Sequence, residues 1–68
     1  MHTINAAIRA EMAARSVTQA DLSAALAIPQ SQVSARLRGV VDWRLGELYA
    51  VADRLGVTLH DLIGKAAA

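Results

Sequence analysis

A chain of 68 residues with a formal net charge of +1 makes one domain at most, and at that size it buries only roughly 60% of the surface its unfolded chain exposes. It has no cysteine, which excludes disulfides and thiolate-bound metal, so packed apolar side chains must hold it together. No apolar run approaches the roughly 18 residues of a membrane span, and the N-terminus lacks the basic-then-apolar pattern of a signal peptide. The expectation is a soluble protein of the cytoplasm with no membrane partner.

Taken in chain order, Thr3 predicts the cap of a first helix from about Ile4 to Arg15. Ile4, Ile8 and Met12 recur every four residues and give it one apolar stripe. Glu11 and Arg15 are spaced for an i, i+4 ion pair with the acid N-terminal, the better orientation. Val17 follows as a plug for the core. Thr18-x-x-Asp21 then approximates a capping box and opens a second helix that buries Leu22, Ala25 and Leu26. Ala27-Ile28 ends it, because Pro29 disfavours the α conformation at Ile28 and suits the start of a new helix.

The third helix is predicted from about Gln30 to Arg38. Val33 and Leu37 anchor it, Ser31, Ala35 and Arg38 lie roughly opposite them, and Gly39 stops it. Val40-Val41 is an apolar connector. Asp42 is the expected cap of a fourth helix from about Trp43 to Leu55. Its apolar face is read as Leu45, Leu48, Tyr49, Ala52 and Leu55, with Trp43 on the opposite side. Gly56 ends it. Thr58-x-x-Asp61 repeats the capping-box pattern before a short fifth helix with Leu59, Leu62 and Ile63 apolar. Gly64-Lys-Ala-Ala-Ala reads as a frayed tail. The expected organisation is one all-α, five-helix domain over 1–64 and a flexible tail over 65–68.

Catalysis is not supported by these residues. His2 and His60 stand beside no nucleophile or ligand cluster, and Asp21, Asp42 and Asp61 are explained as helix-start residues. There is no glycine-rich phosphate loop and no metal spacing, so no catalytic residue, metal or cofactor is assigned.

The chemistry points instead to Thr18–Gly39. Two short helices joined by a tight turn read DNA when the second presents small polar side chains. Here these are Gln30, Ser31, Gln32 and Ser34. The major groove admits one α-helix, and glutamine pairs bidentately with adenine N6 and N7. Ser31, Ser34 and Ala35 are small enough for close approach, and Ala35 suits a thymine methyl.

Thr18-Gln19 through Gly39 resembles the helix-turn-helix of the Cro/repressor (XRE-type) family. The likeness continues through Leu45-x-x-Leu48-x-x-Val51-Ala52-x-x-Leu55-Gly56-Val57 and covers about Ile4 to Ile63. The resemblance implies a lambda-repressor-like fold and a sequence-specific transcriptional regulator of phage or bacterial type, a repressor bound to double-stranded DNA. It implies base reading by Gln30 and Ser31 and an apolar base contact from Ala35, with Gln32 and Ser34 as further base-reading candidates on the same polar helix. It also implies that Gln19 takes a phosphate and braces Gln30. Thr18 at the start of the second helix, and Arg36, Arg38 and Arg44, which flank the third helix or open the fourth, are the further expected phosphate contacts. The chain departs from the family pattern in three places. Ala27 stands where glycine is common, Arg36 where an apolar residue is usual, and Met12 and Leu37 where an Arg–Glu pair is frequent.

Val40, Val41 and Trp43 are an expected apolar group outside the core, suited to a homodimer that sets two reading helices about 34 Å apart. The alternative is that Trp43 folds back over its own domain. Two other functions remain open on the sequence. One is an antitoxin or partner-binding module that grips a protein through Val40–Trp43. The other is an architectural or recombination accessory protein that bends DNA.

Overall fold

The computed structural model describes residues 2–67. Five helices follow in order: α1 (His2–Arg15), α2 (Gln19–Leu26), α3 (Gln30–Leu37), α4 (Leu45–Leu55) and α5 (Leu59–Ala67). Among the described residues no helix is long and apolar enough to cross a membrane.

The stripe of α1 places Ile4, Ile8 and Met12 in a single core with Leu22, Val33, Leu37, Val51, Leu55 and Leu62. α1 packs on α5, α4 and α3, while α2 packs on α3 and α4. The helix pair α2–α3 thus rests on a frame made by α1, α4 and α5. Met12 and Leu37 both belong to the core.

Local sequence explains the helix ends. Thr18 Oγ1 accepts from Asp21 N at 3.1 Å and Asp21 Oδ2 accepts from Thr18 N at 2.8 Å, a closed capping box. Thr58 and Asp61 repeat it at α5. α2 ends at Ala27 in the left-handed region, φ 56° and ψ 41°, where a Cβ costs roughly 1–2 kcal/mol. α4 ends in the same way at Gly56, φ 74°, where glycine adopts this conformation without that cost.

Several expectations are corrected. α1 already includes Thr3, so no helix start follows a Thr3 cap. α4 begins at Leu45 rather than Trp43, and Asp42 does not cap it. Glu47 does, with Oε1 accepting from Arg44 N at 2.9 Å. The buried face of α4 is Leu48, Val51, Ala52 and Leu55; Leu45 and Tyr49 are exposed, and so is Ile63 on α5. α5 continues through Ala67 instead of fraying after Ile63. Lys65 bonds Glu11 across to α1, and Ala66 packs on the core. Of the expected flexible tail, Ala68 lies outside the described residues.

Trp43 is the largest correction. It is 9% exposed, and its Nε1 donates to Asn5 Oδ1 at 2.7 Å. The indole folds back over its own domain and leaves no exposed Trp43 for a second copy. Residues 42–44 are not helical, so a wheel drawn through α4 does not place this side chain.

Candidate nucleic-acid interface

The turn between α2 and α3 is closed by bonds that run back into α2. Ile28 N donates to Ser23 O at 3.3 Å, and the Ser23 hydroxyl donates to Ile28 O. Pro29 precedes α3 in an extended conformation, φ −60° and ψ 150°, and its carbonyl accepts from Gln32 N and Val33 N. Val33 is wholly buried and Leu37 nearly so. These two anchors pin α3 to the frame and leave Gln30, Ser31 and Gln32 exposed in its first turn. Ser34 is half-buried.

α3 also carries directed polar ties. Asn5 Nδ2 donates to Arg36 O at 2.9 Å. Arg36 grips Glu47 of α4 through Nε at 2.9 Å and Nη2 at 3.2 Å, the fork geometry that makes arginine–carboxylate pairs directional. Its Nη1 donates to Gln32 O at 3.1 Å and Gln32 Oε1 at 3.0 Å. The Arg36 guanidinium beside Glu47 is the main reason that carboxyl sits below its ordinary range.

Arg36 was expected to reach a phosphate, but it is 9% exposed and four hydrogen bonds hold its guanidinium to Glu47 and Gln32. It faces α4, where Glu47 neutralises it. Ala35 was expected at a base edge, but it is also buried. The chain leaving α3 turns back on the helix end, and Val40 N and Val41 N both donate to Ala35 O.

The remaining expected cations are surface residues. Arg38 is exposed and lies back on its own helix, with Nε donating to Ser34 O at 3.3 Å and Ser34 Oγ at 3.2 Å. Arg44 is exposed just before α4. Thr18 is exposed and Gln19 half-buried at the start of α2. Among the described residues, no hydrogen bond joins Gln19 to Gln30, so the expected brace is not formed in the free protein. Of the expected dimer group, Val40 is 69% exposed, Val41 is half-buried and Trp43 is buried.

Asn5 and Glu47 organise this site, and neither was singled out from the sequence. Asn5 carried a signal: it shares a helix face with Ile8 and Met12, and a polar residue on an apolar face needs partners. Glu47 carried the weaker signal of an acid at the third position of a helix without a side-chain cap.

A second polar cluster lies elsewhere. Glu11 is 4% exposed and takes Arg15 Nε at 2.8 Å and Lys65 Nζ. Lys65 first, then Arg15, lowers its carboxyl below the ordinary range. This cluster lines a groove with Val57, His60, Asp61 and Gly64, and none of the expected DNA residues is in it. Among the described residues no group of His, Cys, Asp and Glu side chains could hold a metal ion.

No curated protein and no solved structure matches the chain significantly. The family model of the Cro/C1-type HTH DNA-binding domain matches residues 7–65, nearly the whole chain, and the chain belongs to that family.

Proposed function

We propose that this Cro/C1-type DNA-binding domain is a sequence-specific transcriptional regulator, a repressor of phage or bacterial type, that reads the major groove with the start of α3. The observation that carries the reading is the exposed Gln30–Ser31–Gln32 turn on a helix whose opposite side is fixed by Val33 and Leu37. Gln30 and Ser31 supply base contacts, and the small half-buried Ser34 leaves room for close approach. Gln30 pairs with adenine N6 and N7 in the bidentate manner of glutamine. Thr18, Gln19, Arg38 and Arg44 take phosphates. The Thr18 hydroxyl uses its oxygen to accept from Asp21 N, which leaves its own proton to donate. Backbone amides at the start of α2 add to that phosphate site.

Selection of bound duplexes from random DNA tests this reading. A consensus is expected, and a palindromic one assigns two copies to the site. Gln30→Ala then costs about 1–3 kcal/mol on the consensus and relaxes one base pair. Arg38→Ala weakens all sequences alike and lowers the salt slope by about one. Equal binding of every sequence by wild type and Gln30→Ala would overturn the reading.

A further inference from the structure

We propose that Glu47 is a positioning residue for base reading. With one carboxylate it grips Arg36 of α3 and the backbone of Arg44, which sets the reading turn against a phosphate contact and raises discrimination while lowering raw affinity. This inference rests on the groove-reading role of α3 and the phosphate contact of Arg44 proposed above.

The chain between α3 and α4 does not fix the two helices to each other. Residues 38–44 are not helical, and among the described residues α3 packs on α1 and α2 but not on α4. The hydrogen bonds described between α3 and α4 all run from Arg36 to Glu47. Two long side chains thus span a gap that the backbones leave. Glu47 Oε1 takes Arg36 Nε at 2.9 Å, and Oε2 takes Nη2 at 3.2 Å. A fork closed at both prongs fixes orientation as well as distance. The same Oε1 accepts from Arg44 N at 2.9 Å. On the far side, Arg36 Nη1 donates to the Gln32 carbonyl at 3.1 Å. An unbroken run of hydrogen bonds therefore joins the backbone of the exposed reading turn to the backbone of Arg44.

Capping α4 does not account for this arrangement, because a cap needs only the bond to Arg44 N. Electrostatics separates the two contributions of the carboxylate. An acid beside two DNA-contacting segments repels phosphates, and Glu47 also cancels the charge of Arg36 that would attract them. Its removal favours DNA of every sequence. What Glu47 supplies is the pose of α3. Base contacts weaken steeply as they misalign, whereas phosphate attraction carries no sequence information, so a loosened α3 loses discrimination first.

The test measures affinity for the selected consensus and for random duplex across a salt series. It compares wild type with Glu47→Gln, Arg36→Lys, Glu11→Gln and the double variant Arg36→Met with Glu47→Met, at a temperature where melting curves show each to be folded. Glu47→Gln is expected to lower the consensus-to-random ratio about tenfold. It should also raise affinity for random duplex about threefold and steepen the salt slope, which a general loss of stability does not do. The double variant leaves no unpaired charge and the same net charge, so its ratio falls alike with the slope unchanged. Arg36→Lys keeps both charges but loses the fork, and its ratio falls by a smaller factor. Glu11→Gln brings the same gain of positive charge at the α1–α5 cluster and leaves the ratio as it is. An unchanged ratio in the double variant, or in Arg36→Lys where the double variant does not fold, overturns the inference. So does an equal loss on consensus and random duplex in Glu47→Gln, or an equal fall of the ratio in Glu11→Gln. If wild type prefers no consensus, the groove-reading role falls and takes the inference along.

Discussion

The frame of α1, α4 and α5 and the pair α2–α3 are held by different kinds of force. In the frame, Ile4, Ile8, Val51 and Leu62 are fully buried, and the Glu11 cluster fastens α1 to α5 at the edge. The pair contributes only Leu22 and Val33 to that fully buried set. Beside the Val33 and Leu37 anchors, named bonds tie α3 to the frame: Asn5 to Arg36 O and Arg36 to Glu47. Burial is strong but non-directional, whereas hydrogen bonds weaken steeply as they misalign. A helix that must aim side chains needs the second kind of support, and α3 receives it from Asn5 of α1 and Glu47 of α4.

The largest expected effects separate the two regions. Leu62→Ala empties a wholly buried site and should cost about 3 kcal/mol in urea unfolding, with the ranking of DNA sequences unchanged. Asn5→Ala should cost less, about 2 kcal/mol, because Trp43 Nε1 and Arg36 O lose their partner. It should also lower the ratio of consensus to random-DNA affinity, since the tie behind α3 is gone. If Leu62→Ala changes base preference and Asn5→Ala does not, the comparison breaks.

A smaller effect, of opposite sign, lies in the turn of the reading pair. Ala27→Gly should raise stability by about 1 kcal/mol, because the left-handed cap of α2 no longer carries a Cβ, partly offset by the greater freedom of glycine in the unfolded chain. A drop in the urea midpoint would show that the cap is unstrained.

The smallest effect at neutral pH concerns the two carboxylates. Glu11 and Glu47 both have folded-state values below the ordinary 4.5. A carboxylate lowered on folding contributes stability above its unfolded value and loses it as pH falls through the folded one. The urea midpoint should therefore stay nearly flat from pH 7 to about pH 5 and fall below about 4.5. Glu11→Gln and Glu47→Gln should each make that acid fall shallower, but only Glu47→Gln should alter base preference. This result would sharpen the comparison to a single pair of residues.

Much of the fold was legible because it is local. The two capping boxes, the i, i+4 pair of Glu11 and Arg15, the Val33 and Leu37 anchors and the break at Pro29 all act within four residues. What was hidden depends on distant partners. The Trp43 indole, on a segment that is not helical, meets an amide of α1 38 residues earlier in the chain. Arg36 looks like a surface cation until α4 brings Glu47 to it across a separation of 11 residues. Ala35 lies on the outer side of a helical wheel, yet it is buried, and the returning chain at Val40 and Val41 donates to its carbonyl. The reading turn itself, Gln30 to Gln32, was legible as exposed and polar. The bond from Arg36 Nη1 to the Gln32 side-chain oxygen was not, because it depends on Arg36, which is held from outside the motif.

The most direct test of the central claim is to titrate the isotope-labelled domain with its selected duplex and follow amide and side-chain NMR shifts. The largest shifts are expected at Gln30, Ser31 and Gln32, with Thr18, Gln19, Arg38 and Arg44 next. Largest shifts in the groove lined by Glu11, Arg15, His60 and Lys65, with Gln30–Gln32 unmoved, would contradict it.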